Sequence, residues 1–252
     1  MNAIRREQML EFIKAKKAVS LKELIRMFSN VSTMTIHRDL DYMEKNGLIE
    51  RVRGGARYLR PEIDLREPAF TEREISNREQ KVVIAKKAIS LLRSGTSVFI
   101  DSGTTSMALA RYLEDMPLNV VTNSPNVAIS LSNRNLVNVT LCGGTLEKRN
   151  LSLYGSGAIA TIEKINIDVA FVVASGFSEQ SAFTCGNDAE TTIKRLVCQR
   201  ARNVVLLMDS SKLDTVLPFT FAGLEDIDYF VCDKALPEPI ANKLRQKGVT
   251  IL

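Results

Sequence analysis

The sequence predicts an α/β protein in two parts, a small basic head of three helices and a hairpin followed by a larger body built on a mostly parallel sheet. Three observations carry this expectation. Residues 1–60 hold 13 Lys and Arg against 7 Asp and Glu, whereas the remaining residues hold 21 against 22. Within the head, helical spacing of apolar residues gives way to alternation on either side of a Gly-Gly pair. Beyond residue 78, short continuous apolar runs alternate with helical patterns, which is how strands covered on both faces of a parallel sheet read. A chain of 252 residues with 45% apolar content is long enough to bury either one large core or two smaller ones; the uneven charge favours two.

In the head, Ile4, Met9, Leu10, Phe12 and Ile13 among basic residues predict a first amphipathic helix, with Lys16 and Lys17 at its C-terminal end. Ser20 and Glu23 form a capping-box signature, so a second helix should start at Leu21. Ser32 can cap a third helix, whose Ile36, Leu40 and Met43 share one face, and Gly47 should end it. Met34, Thr35, His37, Arg38 and Lys45 then fall away from the apolar face, and Ser32 and Thr33 at the helix start join Met34, Thr35, His37 and Arg38 as candidate DNA contacts. A helix presenting such side chains fits the major groove of DNA. Next, residues 48–53 and 56–59 alternate around Gly54-Gly55, which predicts a hairpin wing carrying Arg51, Arg53 and Arg57 towards phosphates. Three helices and a wing make a winged helix-turn-helix, and the charge excess agrees with it.

Residues 61–77, with Pro61, Pro68 and mixed charges, read as a linker. The expected domains are thus 1–60, which binds DNA, and 78–252, the body. A helix from Arg78 carries Val82, Val83, Ala85, Ile89 and Leu92, and Gly95 should end it. Strands are expected at 97–100, 118–122, 137–142, 168–174, 203–208 and 228–232, with helices at 105–113, 187–201 and 237–247. The order is Rossmann-like, and ligands of such sheets bind beyond the carboxyl ends of the strands. There the first strand runs into Asp101-Ser102-Gly103-Thr104-Thr105 and straight on into a helix. Gly103 permits a tight turn, Thr104 and Thr105 offer hydroxyls, and the helix start offers unpaired N–H groups to a phosphate. Other strand ends, Thr122-Asn123-Ser124, Gly143-Gly144, Ala174-Ser175-Gly176 and Asp209-Ser210-Ser211-Lys212, fall on the same edge. Lys212 supplies a cation, and Asn123 and Ser124 can bond sugar hydroxyls.

The four cysteines, at 142, 185, 198 and 232, form no C-x-x-C pair, so neither zinc, a disulfide framework nor any cofactor is expected. No apolar run reaches the ~18 residues of a membrane span, and the N-terminus reads as no targeting signal. A soluble, cytoplasmic protein without membrane contact is expected.

The run Val31-Ser32-Thr33-Met34-Thr35-Ile36-His37-Arg38-Asp39-Leu40, with Gly47-Leu48-Ile49 and Arg51-Val52-Arg53-Gly54-Gly55-Ala56, resembles the signature of the DeoR family of transcriptional regulators. The resemblance extends over nearly the whole chain. It implies an effector domain similar to ribose-5-phosphate isomerase and glucosamine-6-phosphate deaminase, with Asp101, Gly103, Thr104, Thr105, Asn123, Gly143, Glu190 and Lys212 lining a sugar-phosphate pocket. The family usually has two adjacent arginines before Asp-Leu, whereas this chain has His37-Arg38, so the operator base facing His37 does not carry over. What the resemblance implies is a repressor of a sugar catabolism or uptake operon, a homo-oligomer (dimer or tetramer) on double-stranded operator DNA, released or recruited by a phosphorylated sugar.

Two other classes compete. An isomerase-like enzyme with a DNA-binding head needs a general base for proton transfer. The stretch Ala174-Ser175-Gly176-Phe177-Ser178 lacks a carboxylate, which leaves Asp101 and Glu190 as the acids near the pocket. A DNA-packaging scaffold would show no response to a ligand, against the convergence of polar strand ends.

Overall fold

The computed structural model describes residues 2–29, 31–45, 48–58 and 68–252, and the chain divides into two compact units, 1–65 and 66–252. In the first unit, α1 (Asn2–Lys16) leads into a short strand β1 (Ala18–Ser20), then α2 (Leu21–Met27), α3 (Thr33–Lys45), β2 (Ile49–Val52) and β3 (Gly55–Tyr58). The capping box forms as the sequence predicts: the Glu23 N–H donates to Ser20 Oγ, and the Ser20 N–H donates to the Glu23 carboxylate at 2.9 Å. Ile36, Leu40 and Met43 meet Met9, Ile13, Leu24, Phe28 and Ile49 in one core.

The hairpin differs from expectation in one respect. Its two-residue turn is Arg53-Gly54, because Val52 pairs with Gly55, and Gly55 belongs to β3. The strand β1, too short to show periodicity, pairs antiparallel with β3 and completes a three-stranded sheet in the order β1-β3-β2. Gly47, expected to end α3, and residues 61–67 of the expected linker lie outside the described residues.

The second unit opens with α4 (Phe70–Ile75) and α5 (Arg78–Ile89). The stretch read as linker thus holds a helix. Phe70 is buried and its N–H donates to the Arg149 carbonyl at 2.9 Å, so tertiary packing fixes a segment that has little apolar periodicity of its own. The helix α5 stops at Ile89, short of Gly95; that glycine, at φ +82°, instead turns the chain into the first sheet strand and donates to Pro117 O at 2.7 Å.

There follow β4 (Ser97–Ile100), α6 (Thr104–Tyr112), β5 (Leu118–Thr122), α7 (Pro125–Leu131), β6 (Val137–Leu141) and a hairpin of β7 (Thr145–Glu147) and β8 (Ser152–Tyr154). After α8 (Ser156–Glu163) come β9 (Ile167–Val173), β10 (Gly176–Ser178), β11 (Ala182–Cys185), α9 (Asp188–Arg200) and β12 (Ala201–Leu207). The chain closes with β13 (Phe219–Ala222), β14 (Tyr229–Val231), α10 (Glu238–Gln246) and β15 (Thr250–Ile251).

Seven strands form one sheet in the order β15-β14-β12-β9-β4-β5-β6, every pair parallel. All six expected strands are in it. Its two faces bury separate cores, one around Phe99, Val172, Val204 and Phe230, the other around Ile100, Phe171, Val205 and Val231. A small antiparallel sheet, β10-β11-β13, adds Phe177, Phe183 and Phe221 to the first. From β4 the chain builds outward through β5 and β6, then returns to the other side of β4 with β9 and builds the opposite way. The topological switch point therefore lies between β4 and β9, and the crevice beyond their carboxyl ends is where such sheets bind ligands.

Candidate functional sites

On the head, α3 presents the expected side chains. Ser32 caps it, with the Thr35 N–H donating to Ser32 Oγ at 3.2 Å and the two hydroxyls 3.0 Å apart. Thr33, Met34 and Arg38 are exposed, while Thr35 and His37 are half-buried. One charged residue of this helix points inward. Asp39 is buried and accepts from Arg5 Nε at 2.6 Å and Arg6 Nε at 2.7 Å, which ties α3 to α1. Burial alone would raise its carboxyl pKa, but the two guanidinium bonds outweigh that and hold it below the usual carboxylate value.

The three wing arginines are not equivalent. Arg51 pairs with Asp41, and its Nη2 lies 2.8 Å from His37 Nδ1. Arg57 turns back on Glu50, Nε to Oε2 at 3.1 Å. Arg53 sits exposed in the turn, with no hydrogen bond or ion pair to the described residues.

In the second unit the first loop lies at the switch point. Gly103, at φ +116°, ends the turn, and no side chain caps α6 behind it. The first-turn N–H groups of this nine-residue helix therefore point at the crevice without a local acceptor. Thr104, Thr105 and Lys212 line one narrow cleft of about 30 Å³ together with Arg73, Ser76, Lys81, Ser175 and Asp209. Ser102, Gly103 and Glu190 line an adjoining crevice with Arg73, Asn150, Ser175 and Lys194.

Several expected residues have other duties. Asp101 is buried and faces the fold: Oδ1 accepts the Ser102 N–H at 2.8 Å, Oδ2 accepts the Val173 N–H at 3.1 Å, and its charge is paired with Lys194. Glu190 accepts from Asn150 Nδ2 at 2.5 Å and Ser152 Oγ at 3.3 Å. Thr122 Oγ1 accepts the Ser124 N–H at 3.0 Å, and Ser124 Oγ caps α7 through the Val127 N–H. Asn123 holds the β8 strand through Leu153, its main-chain oxygen accepting the Leu153 N–H at 2.7 Å. Gly144, at φ +126°, lets Tyr154 O approach to within 2.2 Å of where a Cβ would sit, and Gly143 precedes it. None of Thr122, Asn123, Ser124, Gly143 and Gly144 lines either cleft, although Thr122 pairs with Ile100 at the end of β4 and so shares the sheet edge from which the α6 loop leaves.

Two lysines that sequence reasoning missed matter here. Lys81 is buried, and its ammonium donates to the carbonyls of Ser76, at 2.5 Å, and Arg73. Burial pushes its pKa down, against the opposing charge of Asp209. Lys194 is fully buried between Asp101 and the Val173 carbonyl, 2.8 Å away. Burial by itself would lower its pKa, yet the charges of Asp101 and Glu190 reverse the sign and the net shift is upward. A signal for both was present. Lys81 stands at i before Ile84, Ala85 and Ala88, and Glu190 and Lys194 share the stripe of Ile193 and Val197. A charge written into an apolar stripe is buried, and buried charges have partners.

Residues 5–62 match the DeoR-like helix-turn-helix domain and residues 76–234 the DeoR C terminal sensor domain. The chain belongs to the DeoR family. It is 38% identical over 88% of its length to the HTH-type transcriptional regulator GlpR of Haloferax volcanii, covering 86% of that protein. It is 31% identical to the HTH-type transcriptional repressor GlcR of Bacillus subtilis, over 96% of this chain and 93% of the relative. Among solved structures, ribose 5-phosphate isomerase A from Methanocaldococcus jannaschii is similar over 55% of each chain, with 20% identity and a TM-score of 0.41. This DeoR-family member is a transcriptional regulator: a DNA-binding head is followed by a sensor domain. No described helix is long and apolar enough to cross a membrane.

Proposed function

We propose that this regulator represses a sugar catabolism or uptake operon and that a phosphorylated sugar, held at the N-terminus of α6, controls its grip on the operator. The observation that carries the reading is the convergence, at the switch point, of an uncapped helix start, the hydroxyls of Thr104 and Thr105, and the cations Lys81 and Lys212. Helix N-termini favour anions by their unpaired N–H groups and their dipole. Lys81 adds to this, because a desolvated ammonium without a carboxylate bonded to it gains from an arriving phosphate. A dimer or tetramer on a symmetric operator is part of the proposal.

The test is a thermal-shift panel of pentose, hexose, amino-sugar and polyol phosphates, each against its free sugar. A ligand at 100 times its Kd stabilises by about 2.7 kcal/mol. Stabilisation by a phosphate ester and not by its free sugar supports the reading; no shift from any of them counts against it. Thr105→Val removes one donor at nearly constant shape. The variant is expected to fold and bind operator normally but to lose most of its response, where wild-type coupling of about 1–3 kcal/mol would change operator affinity roughly 5- to 150-fold. A wild-type response from the folded variant would remove Thr105 from the phosphate site.

On the head, Thr33, Met34, Thr35, His37 and Arg38 are proposed to enter the major groove, with Ser32 at the helix start and the wing beside it. Arg53 is assigned to a phosphate. Arg53→Ala is expected to weaken specific and random duplexes alike and to lower the salt slope by about one unit. A loss confined to one sequence would show that Arg53 reads bases instead.

A further inference from the structure

We infer that Arg51 is a positioning residue that fixes His37 as an outward hydrogen-bond donor, so that His37 selects a base edge bearing an acceptor. The inference rests on the proposed entry of α3 into the major groove. It starts from donor chemistry. A guanidinium has only donors, so a 2.8 Å contact between Arg51 Nη2 and His37 Nδ1 requires Nδ1 to accept. The ring is then neutral and its single proton sits on the other nitrogen, Nε2.

Arg51 is itself held from several directions. Its Nη1 is paired with Asp41, which stands one helical turn after His37 on α3. Its main-chain N–H donates to Glu44 Oε1 at 3.1 Å, and its backbone pairs with Ala56 in the wing. Strand β2, α3 and the His37 ring are thereby locked into one unit. To reach a phosphate, this guanidinium would have to give up both Asp41 and His37. Arg53 has no such engagement, and the side chain of Arg57 is 60% exposed against 31% for Arg51.

The consequence is a choice among bases. An Nε2–H donor can meet N7 of either purine, O6 of guanine or O4 of thymine; cytosine offers only its amino donor in the major groove. On the strand it faces, His37 should therefore disfavour cytosine, by roughly 3- to 10-fold in affinity for one hydrogen bond. His37 with its Arg51 clamp is the specificity determinant of that position.

His37 is the only histidine of the chain, so the ring nitrogens of the full-length protein can be observed without ambiguity by 15N NMR. The expected spectrum is that of the neutral Nε2–H tautomer, and Arg51→Met should let the two tautomers mix. In parallel, wild type and variants select from a library of random duplexes. His37→Ala and Arg51→Met should flatten the same position of the selected site, while Arg53→Ala leaves that position unchanged. An Nδ1–H tautomer in the wild type, or a bias kept by Arg51→Met and lost by His37→Ala, would overturn the inference. So would the Nε2–H tautomer together with a selected site that His37→Ala leaves intact. If the wild type enriches no sequence at all, the proposed DNA reading fails and the inference falls with it. Should Arg51→Met not fold, Asp41→Asn releases Arg51 without deleting it and is expected to relax the same position.

Discussion

Lys194→Met is expected to destabilise the sensor domain by about 3–5 kcal/mol, because it leaves Asp101 buried without its counter-charge. For a domain of this size that lowers the melting temperature by roughly 10 °C. The cause is asymmetric. Met fills the volume of the lysine stem, so the lost term is the ion pair and the hydrogen bond to the Val173 carbonyl and not packing. Asp101 also receives the N–H groups of Ser102 and Val173, which join the ends of β4 and β9 on the two sides of the switch point. An unpaired carboxylate there should loosen the start of the loop 102–105, the proposed phosphate site. The variant is expected to respond poorly to the proposed sugar phosphate even at temperatures where it is folded. Adding Asp101→Asn to Lys194→Met removes the stranded charge and should restore part of the stability. Thermal melts of the two variants decide the matter. A single variant within about 0.5 kcal/mol of wild type would mean that the pair is not the strut described here.

The Lys194 ammonium also fixes a sign. Its folded-state pKa is raised, so the stability it contributes is fully present below the unfolded lysine value of about 10.4 and is lost only as pH rises through the folded value. Nothing from Lys194 should vary across neutral pH. Asp39 has the opposite sign: its lowered pKa contributes stability that is present above the unfolded value of about 3.9 and disappears as pH falls through the folded one.

How much of this was legible from the residues depends on whether a signal was local. The Ser20–Glu23 box, the stripe of Ile36, Leu40 and Met43, and six of the seven strands of the large sheet are written in short windows of sequence. The loop proposed to hold a phosphate was legible for the same reason, since strand, Gly103 and helix follow one another directly. What was not legible is pairing across long separations. The strands β1 and β15 have three residues and two, too few for any period, and exist only because β3 and β14 offer them an edge. Asn123 and Ser124 look like ligands for a sugar by type, yet Ser124 Oγ takes the Val127 N–H of α7 and Asn123 Nδ2 donates to Leu153 of β8, which leaves only Asn123 Oδ1 without a partner among the described residues. Arg51 looked like Arg53 in the alternating hairpin; only the approach of Asp41 and His37 from α3 separates them.

Gly55→Ala is expected to cost about 3 kcal/mol, well above what a glycine in an open turn would lose. A Cβ at this position would lie 2.1 Å from Val19 O and 3.0 Å from the Ser20 Cα, and both are backbone atoms that cannot rotate away. The substitution therefore has to push β1 off β3. That breaks the register from Ala18 to Ser20 and exposes Val19, which belongs to the core of the head. Overpacking of this kind typically costs about 1–3 kcal/mol. A domain of some sixty residues buries a modest share of its surface and has little stability to lose. The neighbouring Gly54 provides the control. It sits at φ +85° with open space around it, so Gly54→Ala meets only backbone strain of about 1 kcal/mol. Hydrogen exchange at the Ala56 and Leu40 amides, with operator affinity at fixed salt, separates the two variants. Gly55→Ala should lose protection at both amides and weaken operator binding in proportion to the fraction of the head it unfolds, while Gly54→Ala should keep most of both. Equal effects from the two variants would show that the close approach of β1, and with it the three-stranded wing sheet, is not what Gly55 serves.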